Sequence, residues 1–244
     1  ISIIGNNLDG TTFISDAIKN GAKCIISEKE FEIVDKEITY VFVESSRKTL
    51  AVVSANFYEN PSRKLNLIGV TGTNGKTSTT LLLANALHNT GKKVAIISSE
   101  GIGFFSKLKE NNYTTPTIDI IYKSYDKFLS LSCDYIIIEC SSQGLHQGRL
   151  KGISFDYSII TNIYSDHLDY HKTIKKYINS KLLILDQSKV AFINYQSPIL
   201  KRLDFSKYKK TKIKYILHDK DHIESINKLR KDYIRNNDKN FHIS

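Results

Sequence analysis

Five short, nearly unbroken apolar runs constrain this chain most: residues 65 to 70, Val94 to Ser98, Tyr135 to Ile138, Tyr157 to Ile160 and Val190 to Ile193. Strands this short that lack a polar alternate position must be buried on both faces. That is the condition of a mostly parallel sheet covered on both faces by helices, an α/β fold. Helical patterns separate the runs at Lys76 to Asn89, about 118 to 131 and about 172 to 186, and Gly91 stops the first of them. Residues 65 to 98 therefore form a β-α-β unit. In such sheets ligands bind beyond the carboxyl ends of the strands, so the loops leaving those ends are where chemistry is expected.

The 244 residues suffice for two modest domains. Residues 1 to 44 read as a small α/β unit, with a helix at Thr12 to Asn20 closed by Gly21 and strands at Cys24 to Ile26 and Tyr40 to Val43. A helix from Ser46 to Tyr58 follows, and Asn60-Pro61-Ser62 ends it as a linker, giving domains 1–62 and 63–244. The tail after about 199 has weak periodicity and is assigned no structure. The chain opens on Ile1 and contains no Met, as expected of a fragment whose first domain has a truncated start.

No apolar run approaches the ~20 residues of a membrane-spanning helix, and no signal peptide opens the chain; the expectation is a cytoplasmic monomer without a membrane partner. Cys24, Cys133 and Cys140 show no C-x-x-C spacing, which argues for free thiols in a reducing compartment and against a disulfide framework or a zinc site. The net charge of +10 invites a nucleic-acid reading, but residues 199 to 244 hold 13 basic against 6 acidic residues, a net +7. The excess is a lysine-rich tail, the composition of a solvated surface, and nucleic acid is not an expected partner.

Three segments carry chemistry. The first is "GVTGTNGKTSTT", residues 69 to 80, directly behind the first apolar run. Gly72, Thr73, Asn74 and Gly75 let backbone N–H groups close around an anion, and the helix that follows points its positive end at the same place. Lys76 adds a point charge for terminal phosphates, and Thr77, followed by Ser78, offers a hydroxyl to Mg²⁺. Val70 stands where a strict G-x4-G-K-T loop has glycine, so this is not an ordinary GTPase loop. The second is Glu139, ending "DYIIIE", which reads either as a solvated strand end or as a ligand of the metal that bridges nucleotide phosphates. The following "CSSQGLHQGRL", with Ser141, Gln147 and Arg149, has the composition of a polar ligand-binding loop. The third is "TNIYSDHLDYHKTIKKYINSKLLIL", residues 161 to 185. Beside a phosphate site its "DHLDYH" suits Mg²⁺ better than a transition metal, with His167 as a nitrogen ligand. On residue type alone Lys181 is a surface helix lysine; it could bind a metal only as a carbamate formed with CO2.

Taken in order, these segments resemble the Mur ligase family, and within it the UDP-N-acetylmuramyl-tripeptide synthetases. "GVTGTNGKTSTT" resembles the family's variant phosphate loop, "TTP" at 114 to 116 its substrate-binding turn, "ECSSQGLHQGRL" its E-V-S-S-H-x-L-x-Q-x-R segment, and "TNIYSDHLDYH" with Lys181 its D-H-L-D-Y-H segment and modified lysine. "NNLDGTTFISDAIKNGAKCII" is similar to the uridine-nucleotide-binding first domain. The resemblance implies that residues 72 to 78 hold ATP and that Thr77 and Glu139 bind Mg²⁺. A second Mg²⁺ falls to His167 and carbamylated Lys181, with Lys76, His167 and Lys181 serving catalysis. Thr114, Thr115, Ser141, Gln147 and Arg149 would contact UDP-N-acetylmuramoyl-L-alanyl-D-glutamate. The implied reaction forms an acyl phosphate on the D-glutamate γ-carboxylate, from which an incoming amine displaces phosphate. The amino acid added stays open among diaminopimelate, lysine and ornithine.

Departures accompany the resemblance. Gln143 stands where the family has histidine, and Tyr113 where asparagine is common. The first domain is short, the tail after 199 departs from what would complete the ATPase sheet, and no counterpart of the C-terminal ligase domain or its D-N-P-R segment occurs, so the chain alone is expected to be catalytically incomplete. Two other readings stand beside this one: a folylpolyglutamate synthetase-like ligase, and a nonenzymatic nucleotide-binding remnant.

Overall fold

A computed structural model describes residues 1–5, 8–32 and 35–217 of the chain. A 3-10 turn at Gly10–Phe13, capped by the Asp9 carboxylate on the Thr11 N–H (2.9 Å), leads into α1 (Ile14–Lys19). The helix expected from Thr12 thus begins as a tighter turn, because glycine and two threonines precede its first good helix former. Strands β1 (Cys24–Ser27) and β2 (Thr39–Phe42) pair in parallel and cover a small core of Ile14, Ile25 and Ile38. Helix α2 (Ser46–Phe57) is N-capped by Ser45, and Glu28 takes up the Ser46 N–H (2.7 Å). It ends where Glu59 and Asn60 turn to positive φ, before Pro61. Ala51, with Leu50, Ala55 and Tyr58 packed beside it, nevertheless joins the core of the larger sheet, so by packing α2 belongs to the unit that follows the linker. Asn6 and Asn7 of the first-domain motif lie outside the described residues.

The larger unit runs β3 (Asn66–Thr71), α3 (Lys76–Asn89), β4 (Val94–Ser98), β5 (Gly101–Phe104), β6 (Lys107–Lys109), α4 (Ile118–Ser130), β7 (Tyr135–Glu139), α5 (Ser142–His146), β8 (Phe155–Ile160), α6 (Leu168–His171), α7 (Ile174–Leu182), β9 (Ser188–Asn194) and β10 (Lys212–Ile216). Its eight strands lie in the order β10-β9-β8-β3-β7-β4-β5-β6. All pairings are parallel except those of β5, which is antiparallel to β4 and β6.

The apolar runs divide between two cores with a period of two. Leu67, Ala95, Ile97, Ile136 and Ile138 face one side, where Ile121, Tyr125 and Phe128 of α4 and Tyr177 and Leu182 of α7 cover them. Ile68, Val70, Val94, Ile96 and Ile137 face the other, under Leu81 and Ala84 of α3. Helices on both faces are therefore observed, as the uninterrupted runs require. The β5–β6 hairpin carries no such run: its backbone packs closely because Gly101 and Gly103 lack side chains where Lys109 and Lys107 carbonyls approach. Contrary to expectation, the sheet does continue into the tail. β10 pairs with β9, and its alternation of Lys212, Ile213 and Lys214 is that of an edge strand buried on one face. The tail from residue 218 lies outside the described residues.

No helix among the described residues is long and apolar enough to cross a membrane. All three cysteines are free thiols. Gly69, in the middle of β3, is where the first core is tightest: a Cβ there would stand 2.8 Å from Ile184 Cδ1 and 3.1 Å from the Phe155 ring. Gly69→Val is expected to destabilise the chain by about 1–3 kcal/mol through overpacking, read as a lower urea midpoint at unchanged slope.

Candidate functional site

β3 is the hinge of the site, because it is paired on both sides, with β7 and with β8. From β3 the chain goes to β4 on one flank, whereas from β8 it goes to β9 on the other. Loops leaving adjacent strands in opposite directions open a crevice at their carboxyl ends, and all three expected motifs leave those ends.

The phosphate loop bends at Gly72, with φ of +153°, where any Cβ would collide with the Thr161 hydroxyl, and again at Gly75, with φ of +79°. Its shape is fixed from the third motif. The Thr73 N–H donates to the Asn162 carbonyl (2.9 Å), the Asn74 N–H to Asn162 Oδ1 (2.9 Å), and the Thr161 hydroxyl to the Asn74 carbonyl (2.7 Å). Asn162 is a loop fastener that residue-type reasoning left without a role; the paired T-N dipeptide is its sequence signal. Lys76, Thr77 and Ser78 form the first turn of α3, whose N–H groups lack intrahelical partners and point toward the loop mouth. The Thr77 hydroxyl meets Ser99 Oγ at 3.2 Å.

Two lysines converge on the loop. Lys76 Nζ donates to the Gly72 and Thr73 carbonyls (3.1 and 2.9 Å), and Lys181 Nζ donates to the same Gly72 carbonyl (2.5 Å). Lys181 is 1% exposed, which overturns its reading as a surface lysine. It lies on α7 with Nζ 4.8 Å from the centre of the Tyr177 ring. Burial, reinforced by the nearby Lys76 charge, lowers the Lys181 pKa to about 7; burial also lowers that of Lys76, against the pull of Glu139 and Asp166.

Glu139 is fully buried, not a solvated strand end, and among the described residues neither carboxylate oxygen has a hydrogen-bond partner. Burial raises its pKa to about 7, and the neighbouring Thr77 hydroxyl, Lys76 charge and Ser99 backbone only moderate the rise. A carboxylate buried without partners is costly, and a hard divalent cation is the group that would complete it. The donors here, a carboxylate and the Thr77 hydroxyl, suit Mg²⁺, which takes most of its other ligands from phosphates and water. Among the described residues no three His, Cys, Asp or Glu side chains gather into a metal-binding cluster.

A cleft of about 310 Å³ brings together Lys76, Thr114, Thr115, Ser141, Arg149, His167 and Lys181, with Tyr113 and Gln143 also lining it. Their environments differ. Thr115 is buried, and its hydroxyl donates to the Glu139 carbonyl (2.7 Å) and accepts from the Ser141 N–H (2.9 Å), so it ties the turn to β7. Ser141 caps α5 through the Gly144 N–H (3.0 Å). Arg149 donates to the Thr115 carbonyl (2.7 Å) and lies 5.6 Å from the Tyr113 ring centre. Gln147 does not line this cleft; its carbonyl oxygen accepts from Arg149 Nε (3.0 Å) and Nη2 (2.7 Å), so it stands behind the guanidinium and aims it. His167, exposed at positive φ before α6, borders the cleft 3.6 Å from Asp166. The Tyr177 ring stands beside both His167, at 6.1 Å between centroids, and Lys181.

His171 is a further residue that sequence reasoning did not single out. It is buried, with Nε2 3.0 Å from the Ser142 hydroxyl on α5 and Nδ1 3.3 Å from the Ser180 hydroxyl on α7. Ser180 spends its own proton on the Lys176 carbonyl (2.7 Å), so Nδ1 carries the imidazole proton and Nε2 accepts from Ser142. This bridge pins the loop holding Arg149 to the helix holding Lys181.

Residues 70–243 match the Mur ligase middle domain family. UDP-N-acetylmuramoyl-L-alanyl-D-glutamate–2,6-diaminopimelate ligase of Clostridium tetani is 40% identical over 209 residues, 83% of this chain and 43% of the relative. A ligase of the same description from Clostridium acetobutylicum is 38% identical over 228 residues, covering 92% of this chain and 46% of the relative. A solved structure of a UDP-N-acetylmuramoyl-L-alanyl-D-glutamate–2,6-diaminopimelate ligase superposes with a TM-score of 0.72 at 26% identity, over 84% of this chain and 42% of that one. The chain thus spans less than half the length of the relatives it matches.

The lone buried carboxylate makes a signed expectation. With a folded pKa near 7 against an ordinary 4.5, Glu139 costs nothing below pH 4.5, and stability falls as pH rises through 7. Glu139→Gln is therefore expected to be more stable than wild type at pH 8 without divalent cations, by less than the ~3 kcal/mol the shift represents because the new amide is also unpaired. The difference should close near pH 4.5 in urea titrations. His171→Ala, which strands the buried Ser142 hydroxyl and takes the N–H donor from Ser180, is expected to cost about 1–3 kcal/mol at either pH.

Proposed function

We propose, from the premise that this chain belongs to the Mur ligase family, that it carries the nucleotide-binding and muramyl-binding parts of an ATP-dependent ligase of cytoplasmic peptidoglycan synthesis. Its reaction would join diaminopimelate to the D-glutamate γ-carboxylate of UDP-N-acetylmuramoyl-L-alanyl-D-glutamate. The observation that carries this reading is the convergence of half-buried Lys76, buried Lys181 and an aimed Arg149 on one cleft at the end of β3, with the buried Glu139 carboxylate behind it on β7.

Each group has a task suited to its setting. Residues 72 to 78 cradle the ATP phosphates, with the open N–H groups of the first turn of α3 as donors. Lys76, which has three ammonium protons and two carbonyl partners, turns the remaining one to the terminal phosphate. Glu139 and the Thr77 hydroxyl hold Mg²⁺, and His167 with carbamylated Lys181 a second ion. Bound there, the metal neutralises charge on the phosphates and on the carboxylate that attacks them. Lys181 is suited to modification because an amine with its pKa near 7 has a substantial neutral fraction near neutrality, where an ordinary lysine is almost wholly charged, and only the neutral amine adds to CO2. Arg149, held by Gln147 and Thr115, faces the anionic muramyl dipeptide together with Thr114 and Ser141. The glutamate carboxylate oxygen attacks the γ-phosphorus, the bond to ADP breaks, and an acyl phosphate forms. The amine then attacks the acyl carbon, expelling phosphate and losing a proton.

A larger cleft of about 680 Å³ lies between the N-terminal segment with the start of α2 and the α5–α7 side of the larger unit, lined by Ile4, Arg47, Lys48, Gln147, Lys151 and Tyr170 among others. Its cations suit the diphosphate of the uridine nucleotide. The continuity through Gln147, which lines this cleft and aims Arg149 into the other, supports one extended substrate and favours the muramyl reading over a folylpolyglutamate one. Diaminopimelate as the amino acid rests on what the relatives are named for.

Binding is the test that suits this chain. Calorimetric titration with UDP-N-acetylmuramoyl-L-alanyl-D-glutamate, in the presence of Mg²⁺ and a nonhydrolysable ATP analogue, is expected to show binding that Arg149→Ala weakens roughly 10- to 100-fold, the range for a charge-assisted hydrogen bond. Nucleotide binding without muramyl binding would sink the substrate assignment. Affinity for the Mg²⁺–nucleotide should rise with pH through about 7, where Glu139 gives up the proton that competes with the metal.

A further inference from the structure

Tyr177 touches more of the site than any role so far given to it explains. It is fully buried on α7, one turn before Lys181. Its hydroxyl meets Thr73 Oγ1 at 2.9 Å, and its ring stands under Lys181 Nζ at 4.8 Å and against the His171 ring at 5.3 Å. Thr73 Oγ1 already accepts the Tyr164 N–H at 2.9 Å. With the phenol donating to its second lone pair, the threonine has only its proton left to give, and the Tyr164 carbonyl at 3.4 Å is a distant acceptor for it. A phosphate oxygen over the loop would be a better one. At the ring face, Lys181 has a π-surface where a solvated amine would have water, and the Gly72 carbonyl is its hydrogen-bond partner.

Resting on the nucleotide and carbamate reading above, we propose that Tyr177 is a positioning residue that sets both halves of the site at once. Its hydroxyl fixes Thr73 of the phosphate loop as a donor to phosphate, and its ring holds Lys181 where the amine is carbamylated. Neither task requires Tyr177 to touch substrate. The two halves of the side chain are separable by substitution: Tyr177→Phe removes only the hydroxyl, and Tyr177→Leu removes the ring as well.

The full chain is measured as wild type, Tyr177→Phe, Tyr177→Leu and Thr73→Val, for Mg²⁺–ADP affinity by calorimetry and for the lysine carbamate by ¹³C NMR in ¹³C-bicarbonate. Tyr177→Phe is expected to weaken ADP roughly 2- to 10-fold, the worth of one hydrogen bond, with the carbamate signal kept. Tyr177→Leu is expected to lose most of the carbamate signal too. Thr73→Val, which leaves the buried ring in place, should reproduce the nucleotide loss of Tyr177→Phe, and combining the two should add little, since both break one contact. Folded variants that keep wild-type ADP affinity and carbamate, or strictly additive losses in the double variant, overturn the proposal. A wild type that binds ADP but shows no carbamate overturns the Lys181 reading and the ring's part with it; one that binds no ADP overturns the nucleotide reading itself.

Discussion

The hydrogen-bonded flanking of β3 by β7 and β8 is the constraint on which the rest of the molecule depends. Parallel neighbours all release their chains at the same end, so the phosphate loop, the segment after Glu139 and the Thr161–His167 segment emerge side by side although 90 residues separate the first from the last. Once adjacent, they fasten one another: Asn162 shapes the phosphate loop, Thr115 ties its turn to the end of β7, and His171 links α5 to α7. A slip of one residue in the β3 register would exchange the two cores and point Leu67 and Ile68 to the wrong faces. Packing thus fixes the site geometry to the precision of the sheet.

Charge inside this frame is arranged at a cost. Lys181 binds its proton less tightly folded than unfolded, so its contribution to stability is complete above about 10.5 and lost as pH falls through about 7. Glu139 behaves oppositely, its contribution being lost as pH rises through about 7. Near neutrality both buried groups are close to their midpoints, and the Lys76 charge near Glu139 and the Asp166 charge near Lys181 offset burial only in part. Burial favours the neutral form of each, and a cation beside the carboxylate would offset its cost. The cores under α3 and under α4 and α7 supply the stability that permits it.

The division of labour between the two clefts follows from the same frame. Gln147 and Tyr170 belong to the larger cleft between the start of α2 and the α5–α7 side of the larger unit, whereas Arg149, two residues on from Gln147, reaches the smaller one beside the lysines. A ligand long enough to span both would meet Arg47, Lys48 and Lys151 at one end and Lys76 and Lys181 at the other. Helix α2, which precedes the linker yet packs on the large core, makes the joint between the units a packed one.

Much of this was legible in the chain itself. The apolar runs and Gly91 gave β3, α3 and β4 nearly to the residue, because a strand buried on both faces has few sequence solutions and glycine ends helices for a local, steric reason. The loop from Gly72 to Thr77 was legible on the same ground. The β5–β6 hairpin and β10 were not, since a hairpin held by glycine backbone contacts and an edge strand of alternating lysine and isoleucine carry weak apolar signals. Nor could residue types reveal that Lys181 and Glu139 are buried, that Gln147 serves Arg149 instead of lining the cleft, or that Tyr177 and His171 brace the site. Backbone preference and hydrophobic period are local properties that the sequence determines by itself; burial of a charge, and the partner a side chain finds 90 residues away, exist only after the sheet has closed and were decided by the tertiary structure alone.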